Sequence, residues 1–441
     1  MKEKIKLGYI GLGRRGSGVL RACYSKMKDV EVAYICDLSE ERIAKCKAII
    51  EENGGYTPKT TQDYHDILND PEIDAVAIMT GWSGRPDIAM EAMRAGKYAA
   101  VEVGCADTLD ECFDLVQTYE ETGVPVMMME NCCYGRREML MLNMVKQGLF
   151  GELVHCTGGY HHYLPDMELF VDMMEEKKEN RQPASESFPH YRLDHYIGKN
   201  RENYPTHELG PIAKVLGINR GNRMVTLSSF ASKSRGLKQF AADHLGADSE
   251  YAKMDYKQGD IVTTLITCAN GETIMLTLDT TVPRAYYSRN FSVRGTKGMS
   301  SEERKVVFLD GMEEGVENNE EEFFEKYDHP LHKEYVAAGP QGGHGGMDWL
   351  VCRAFVEAVK AGTDTPIDAY DTAAWLAIGV LSERSIELGG APVDVPDFTA
   401  GKWKKRKPVV ASKYCLDAII EDPSVPIFPE LIEDKEVTVL Q

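Results

Sequence analysis

The stretch that decides the fold is Gly11-Leu12-Gly13-Arg14-Arg15-Gly16, which follows a short apolar run, Ile5–Ile10. A GxGxxG match alone is weak evidence, but this one follows a predicted strand and opens a predicted helix. In that context the first glycine allows a tight turn, the second lets the backbone approach a pyrophosphate, and the third lets helix and strand pack closely. The N–H groups at the helix start also attract phosphate. We therefore predict that residues 11–16 bind a dinucleotide; the alternative is a merely structural turn.

A carboxylate follows the second apolar run. Val30–Cys36 ends at Asp37, 21 residues beyond Gly16. A carboxylate there can accept hydrogen bonds from the adenosine ribose hydroxyls and would repel a 2′-phosphate, so the predicted cofactor is NAD and not NADP. The alternative is that Asp37 only begins a helix before Ser39.

The first 130 residues alternate between strand and helix patterns. The near-continuous apolar run Ile73–Thr80 is typical of a strand buried on both faces. Two further strands are predicted at Tyr98–Val103 and Val124–Met129, and two helices at Asp87–Gly96 and Thr108–Thr122. This alternation predicts a parallel sheet in an N-terminal α/β Rossmann domain, residues 1–130.

The pattern changes after Met129, and the rest predicts an α+β domain, residues 131–395, on a large, mainly antiparallel open sheet. Some of its helices are expected to pack back on the first domain. Asn270-Gly271 predicts a hairpin in which both residues have φ > 0. The predicted strands are Leu153–Thr157, Met224–Ser232, Ile261–Ala269 and Glu272–Thr280, and the predicted helices are Arg136–Gly148, Trp349–Gly362 and Thr372–Leu388. Residues 161–210 are expected to be loop-like, residues 312–326 a solvated loop or helix face, and residues 396–441 an extended tail that wraps the surface.

Composition excludes several kinds of partner. The chain has 441 residues, a net charge of -20 and 43% apolar residues. Nucleic acids and anionic membranes need a basic face, so neither is an expected partner. Eleven cysteines without a CxxC pair do not predict a disulfide framework. The start, Met1-Lys2-Glu3-Lys4, has no leader pattern, so a cytoplasmic protein is expected unless a leader has been removed.

The order of motifs resembles the Gfo/Idh/MocA oxidoreductase superfamily. The motifs that support this resemblance are GLGRRG, Asp37, IDAVAIMT, AMEAMRAGK leading to VEVG, and MMMENCCYGRREM. Further blocks are more particularly similar to glycoside hydrolase family 109. They are Met129–Arg136 (MENCCYGR), Gly158–His162 (GGYHH), Tyr204–His207 (YPTH) with Leu209–Ala213 (LGPIA), Asn219–Gly221 (NRG), Gly343–Asp348 (GHGGMD) and Pro396–Phe398 (PDF).

This resemblance implies an NAD-dependent glycosidase that acts on N-acetylhexosaminides, with α-N-acetylgalactosaminides as the expected substrate. NAD takes a hydride from sugar C3, and the ketone acidifies the C2 proton. Loss of that proton expels the aglycone from C1, water adds back, and the hydride returns. The cofactor supplies the difficult step, and the protein supplies orientation and proton transfer.

The resemblance also assigns site residues. Tyr160 is expected to transfer a proton near C2 or the leaving group, and the alternative is an aromatic residue at a strand end. His207 is expected to move the C3 hydroxyl proton because imidazole titrates near neutrality; the alternative is a helix cap or a packing residue. Tyr204 is expected to bind the sugar or, alternatively, to pack in the core.

Other expected site residues follow the later strands. Glu130 and Asn131 are assigned to the nicotinamide–sugar region, with Asn131 also binding the cofactor. The alternative for Glu130 is a salt bridge with Arg136 or Arg137. Trp82 and Glu102 are expected to contact the cofactor, although Glu102 could equally be a buried structural carboxylate.

Three positions depart from the related patterns. Dehydrogenases of the superfamily usually carry Glu-Lys-Pro where this chain has Glu102-Val103-Gly104. The missing lysine favours a glycosidase over the main alternative, a sugar dehydrogenase with net turnover of NAD; a third hypothesis is a binding protein without activity. Arg85 stands where a histidine is more usual, and Tyr163 where an acidic residue is more usual. Both are expected to line the substrate side.

Two further expectations concern ligands and assembly. The histidines His155, His161, His162 and His207 could suggest a metal, but no HExxH motif or cysteine cluster accompanies them, and no metal is expected. The glycine-rich segment from His344 to Asp348 lies close to substrate or forms a turn before a helix. The expected ligand is a small carbohydrate or glycoside, and the chain is expected to form a homo-oligomer.

Overall fold

The computed structural model describes residues 2–169, 191–422, 424, 425 and 427. Its N-terminal sheet has six parallel strands in the order β3-β2-β1-β4-β5-β6. These strands are β1 (Ile5–Ile10), β2 (Val30–Cys36), β3 (Lys59–Thr61), β4 (Ala75–Ile78), β5 (Tyr98–Val101) and β6 (Val126–Met128). The predicted α/β Rossmann sheet is confirmed.

Helices connect these strands, and their ends follow local sequence signals. Ser39 and Thr108 accept hydrogen bonds from backbone N–H groups at the starts of two helices, and Gly55 and Gly123 end the same helices with positive φ. The helices are α1 (Arg14–Ala22), α2 (Glu40–Gly54), α3 (His65–Leu68), α4 (Arg85–Arg94) and α5 (Leu109–Thr122).

The second sheet has eight strands in the order β13-β12-β11-β7-β10-β9-β8-β14. All its neighbours are antiparallel except β7 and β10, which confirms a mainly antiparallel sheet. The strands are β7 (Leu153–His161), β8 (Met224–Ala231), β9 (Ile261–Cys268), β10 (Thr273–Asp279), β11 (Ser292–Gly295), β12 (Gly298–Ser301), β13 (Val306–Leu309) and β14 (Val393–Asp394).

The remaining helices surround this sheet or return to the first domain. They are α6 (Arg136–Lys146), α7 (Pro165–Leu169), α8 (Tyr191–Gly198), α9 (Thr206–Leu216), α10 (Gly236–Leu245), α11 (Glu250–Lys253), α12 (Glu320–Tyr327), α13 (Pro330–Ala337), α14 (Met347–Ala361) and α15 (Ala369–Glu387). Helix α14 packs on β1, and α15 packs on β6 and α5 as well as on β8. The two sheets therefore share one apolar core.

Several local expectations were wrong. The interval 161–210 contains α7, α8 and the start of α9, while residues 170–190 lie outside the described part. In the β9–β10 hairpin only Gly271 has positive φ, because the loop spans four residues and not two. The acidic interval 312–326, by contrast, fits the expected solvated loop or helix face: most of its residues are exposed or half-buried, and its second half belongs to α12, which buries Phe323 and Phe324.

The tail also differs from the expectation of a surface wrap. Tyr414 and Leu416 are buried, and Tyr134 donates a hydrogen bond to the carbonyl oxygen of Tyr414. This part of the tail is therefore part of the core, while residues 428–441 lie outside the described part. Among the described helices, none combines the length and apolar character that a membrane span requires.

Candidate active site

The candidate site lies at the carboxyl edge of the first sheet. Strands β1 and β4 are neighbours there, although β2 and β3 separate them in the chain. A crevice that binds ligands opens outside the strand ends at such a switch point. The residues that follow these strand ends are the loop 11–16 after β1, Asp37 after β2, Trp82 after β4, Glu102 after β5 and Glu130 after β6.

The glycines of the loop have different roles. Gly11 has a φ of +94°, and a Cβ there would lie 2.7 Å from the carbonyl carbon of Met79. A Cβ on Gly16 would lie 2.2 Å from the carbonyl oxygen of Gly11, so both glycines are needed for the turn. A Cβ on Gly13 would meet only Arg42, at 3.9 Å. The outer side of Gly13 is therefore open, and no side chain caps the start of α1, which fits a pyrophosphate.

Asp37 holds the same loop from the next strand. Its carboxylate accepts hydrogen bonds from the N–H groups of Leu12, at 2.7 Å, and Ser39, at 2.9 Å. Ser39, and not Asp37, caps α2. Asp37 therefore lies beside the loop 11–16, where a ribose hydroxyl can reach the remaining lone pairs of its carboxylate. Arg14 is exposed at the start of α1.

Arg15 joins residues from three places in the chain. Its Nε donates to Glu102 at 3.1 Å, and its two terminal nitrogens donate to Asp348 at 2.8 Å each. Asn131 and His344 also contact the Asp348 carboxylate, at 2.7 and 2.8 Å. The predicted cofactor residues Arg15, Glu102 and Asn131 thus form one network, centred on a carboxylate of the second domain.

The predicted substrate residues form an aromatic cluster beside this network. The ring centroids of Tyr160 and Tyr204 are 4.5 Å apart, and His207 lies 5.3 and 4.7 Å from these two rings. Trp82 contacts the Tyr204 ring at 5.8 Å. Tyr204 is therefore buried in the core and also belongs to the aromatic cluster. The cluster links β7 and α9 of the second domain to the end of β4.

His207 is oriented by Glu130. The Nδ1 atom of His207 lies 2.8 Å from Oε1 of Glu130, which also accepts a hydrogen bond from the N–H group of Cys132. Burial works to raise the pKa of Glu130, but the adjacent His207 and these bonds hold that pKa below its usual range. An ionised Glu130 favours the tautomer with a proton on Nδ1, which leaves Nε2 free to accept a proton.

Glu130 does not pair with the neighbouring arginines. Arg136 forms its ion pair with Asp328, and Arg137 pairs with Glu320 and Glu302. The alternative interpretation of Glu130 as the partner of these arginines is therefore wrong.

Tyr160 has a hydrogen-bond acceptor at its hydroxyl. The hydroxyl lies 2.9 Å from Nδ1 of His162. Burial lowers the pKa of His162 to about 4, so this imidazole is neutral near pH 7 and can accept the bond. Burial also raises the pKa of Tyr160 to about 12, while the adjacent Arg192 cation opposes that rise.

Two residues of the cluster were missed by the sequence analysis. The Arg192 guanidinium lies over the rings of Tyr204, at 5.0 Å, and Trp82, at 5.3 Å. The Tyr287 ring lies 6.3 Å from Tyr160 and 5.1 Å from His162. Arg192 lies in an interval that was predicted to be loop, and Tyr287 follows β10 without a local motif. Only tertiary contacts identify them.

The expectation that Arg85 lines the substrate side was wrong. Arg85 is buried and donates hydrogen bonds to the backbone carbonyl oxygens of Thr80, Glu102 and Val103. It joins the ends of β4 and β5 beneath the site. Tyr163 is 39% exposed, and its ring contacts Phe240 in α10.

One group of side chains has the donor atoms of a metal site. Ligand atoms of Glu130, Cys132 and His207 lie within 4.8 Å of one another. The hydrogen bond between Glu130 and His207 already joins two of them. Burial raises the pKa of the Cys132 thiol, which disfavours the thiolate that binds metals. The absence of a resident metal stays a prediction, which metal analysis of the purified protein can test.

Sequence comparisons match both halves of the chain. A family described as "Glycosyl hydrolase 109, C-terminal domain" matches residues 134–405, and "Oxidoreductase family, NAD-binding Rossmann fold" matches residues 5–130. An alpha-N-acetylgalactosaminidase of Tannerella forsythia is 38% identical over 423 residues, which cover 92% of this chain and 89% of that protein. A glycosyl hydrolase family 109 protein of Stenotrophomonas maltophilia (strain K279a) is 39% identical over 420 residues, covering 93% and 92%.

Solved structures match the whole architecture at lower identity. Levoglucosan dehydrogenase in complex with NADH and levoglucosan has a TM-score of 0.64 at 17% identity, covering 89% of this chain and 100% of that chain. Apo scyllo-inositol dehydrogenase from Lactobacillus casei has a TM-score of 0.61 at 14% identity, covering 90% and 99%. At these identities the likeness establishes the fold.

Proposed function

Because the chain belongs to glycosyl hydrolase family 109, we propose that it hydrolyses N-acetylhexosaminides, and α-N-acetylgalactosaminides above all, through transient oxidation of the sugar. The chain is an NAD-dependent glycoside hydrolase. The observation that carries the finer proposal is the convergence of the cofactor loop and the Tyr160–Tyr204–His207 cluster at one sheet edge.

NAD and the side chains divide the chemistry between them. When bound, NAD accepts a hydride from C3 of the sugar and returns it after cleavage. His207 is the proposed acceptor of the C3 hydroxyl proton, because Glu130 fixes its Nδ1 and leaves Nε2 available. Glu130 thus orients the base and stabilises the imidazolium that forms.

Tyr160 is the proposed residue for the C2 proton. A tyrosine whose pKa is about 12 is a scarce base near pH 7, so its neighbours decide whether it can act. The Arg192 cation favours the phenolate, and the neutral His162 orients the hydroxyl by accepting its hydrogen bond. Departure of the C2 proton then expels the aglycone from C1, and water adds at C1 as the proton returns to C2.

The remaining residues have binding roles in this proposal. Tyr204, Glu130 and Asn131 bind the sugar beside the nicotinamide, and Asn131 also contacts the cofactor. Loop 11–16 with Asp37 holds the adenosine side and the pyrophosphate, while Trp82 and Glu102 border the nicotinamide side. The buried Val103, at the position of the dehydrogenase lysine, leaves proton transfer to these groups.

A panel of p-nitrophenyl glycosides tests the substrate. We expect coloured product from the α-N-acetylgalactosaminide, less from its gluco epimer and its β-anomer, and no stoichiometric NADH. Stoichiometric NADH without release of p-nitrophenol would contradict the proposal and support the sugar dehydrogenase. Activity on a different sugar alone would overturn the substrate and leave the class of reaction in place.

A further inference from the structure

Helix α14 is tied to the first domain by two ion pairs of opposite polarity. Near its start, Asp348 accepts two hydrogen bonds from Arg15, both of 2.8 Å. Five residues further along the helix, Arg353 donates two hydrogen bonds to Asp29, of 2.8 and 3.0 Å. Both pairs are bidentate and largely buried, so they are a natural comparison for each other.

The two pairs lie at opposite edges of the first sheet. Asp29 immediately precedes β2, at the amino edge, whereas Arg15 lies in the loop 11–16, at the carboxyl edge. Ligands bind outside the carboxyl ends of the strands. Only the Asp348 pair is therefore adjacent to the cofactor crevice.

Asp348 also holds a second residue of that crevice. Its carboxylate receives hydrogen bonds from Asn131, at 2.7 Å, and contacts His344 at 2.8 Å. Burial opposes ionisation of Asp348, but the bonds from His344 and Arg15 hold its pKa well below its usual range. It is thus an ionised hub for side chains from the ends of β1 and β6.

We propose that Asp348 is a positioning residue for the cofactor: it holds Arg15 and Asn131 in the geometry that retains NAD. Without the carboxylate, Arg15 keeps only its bond to Glu102, and Asn131 loses the acceptor of its amide N–H and keeps only the weak bond from the Cys132 thiol. The affinity for NAD then depends on a residue of the second domain that is 333 positions from Arg15. The inference rests on the cofactor of the proposed function and not on its substrate.

The test compares Asp348→Asn with Asp29→Asn in the purified holoprotein. The readouts are the thermal unfolding temperature and the rate at which bound NAD exchanges with isotopically labelled NAD. We expect both variants to lower the unfolding temperature, because each breaks a buried bidentate pair. Asp348→Asn should also speed exchange at least about 10-fold, the scale of a lost charge-assisted hydrogen bond, and Asp29→Asn should leave exchange unchanged.

Equal acceleration in both variants would overturn the proposal, because loosening of α14 would then explain the effect. Unchanged exchange in Asp348→Asn would overturn it as well. If Asp348→Asn does not fold, Arg15→Gln breaks the same pair from the first domain and must accelerate exchange in its place. Since neither readout needs a glycoside, a wrong substrate assignment would leave this result standing.

Discussion

At the scale of single residues, proton transfer depends on pairs that are distant in sequence. Glu130 and His207 are 77 positions apart, yet their side chains are 2.8 Å apart. Sequence motifs identified both residues, but no spacing rule could show that one orients the other. Arg192 is the counterexample: its cation lies over the aromatic cluster, and nothing in the surrounding sequence indicated this.

Removal of the two proton-transfer groups should stop cleavage and leave the cofactor bound. Tyr160→Phe and His207→Ala are each expected to lower kcat by about 10²–10⁴-fold, the usual worth of a positioned acid or base. Steady-state kinetics and the NAD content of the purified variants measure this. Tyr327→Phe, which changes a half-buried tyrosine of α12 outside the aromatic cluster, is the control and should have no effect. Near-wild-type rates in both variants would remove the catalytic assignment.

Glu202 should make stability depend on pH. Burial raises its pKa from an ordinary value of 4.5 to about 8, so the folded state holds a proton that the unfolded state has lost between these values. Stability therefore falls as pH rises through this window. Glu202→Gln should stabilise the protein by up to about 5 kcal/mol above the window and by little below it, since one pKa unit is worth about 1.4 kcal/mol.

Thermal unfolding across this pH range measures the effect of Glu202→Gln. Glu387→Gln, a change at an exposed glutamate of α15, should give no pH-dependent difference. If Glu202→Gln raises the unfolding temperature by the same amount at all pH values, Glu202 is not a buried acid with a raised pKa.

At the scale of elements, the loop between β1 and α1 contains one glycine that the fold requires and another that only cofactor binding requires. A methyl group on Gly16 would collide with the carbonyl oxygen of Gly11, whereas one on Gly13 would enter open space. Gly16→Ala should therefore destabilise the fold by about 1–3 kcal/mol, the usual cost of overpacking. Gly13→Ala should fold normally but weaken NAD binding at least about 10-fold, because the methyl group occupies the approach of the pyrophosphate.

Denaturant unfolding of the NAD-free protein and titration with NAD distinguish the two glycine variants. Asp37→Ala is a third variant, which should weaken NAD by loss of the ribose contact and of the bond to Leu12. Wild-type affinity in Gly13→Ala would show that the cofactor does not approach this loop.

Sequence patterns predicted helices and strands correctly where a single hydrophobic periodicity dominated. The βαβ alternation of the first domain and the long helices α14 and α15 follow from apolar spacing and turn residues. The pattern failed in the interval 161–210, where aromatic and charged residues serve the site and hide the helical period of α8 and α9. It also assigned the wrong turn to Asn270-Gly271, because a longer loop places only the glycine at positive φ.

At the scale of the whole molecule, the two domains share a core, and ligand binding at one edge should stabilise both. Helices α14 and α15 pack on the first sheet, and the ion pair between Asp29 and Arg353 crosses the same boundary. Residues of the tail add to this core. The sequence predicted both folds and that some helices pack back on the first domain, but not which helices and ion pairs join them, because that depends on contacts between residues distant in sequence.

NAD should therefore raise the free energy of unfolding of the whole chain, and the chain should unfold in a single transition. At a free concentration of about 100 times Kd the gain is about 2.7 kcal/mol. Calorimetry with and without NAD should show a single transition that moves to higher temperature. Two transitions of which only one responds to NAD would show that the domains unfold independently.

In the proposed reaction a sugar is oxidised transiently beside the loop at residues 11–16 while its glycosidic bond is broken. Cleavage in deuterated water, followed by mass spectrometry and NMR of the released sugar, tests it most directly. We expect one solvent deuterium at C2 and NAD that ends in its oxidised form. Release of a sugar that carries no deuterium at carbon would contradict it, since direct displacement at C1 never breaks the C2–H bond.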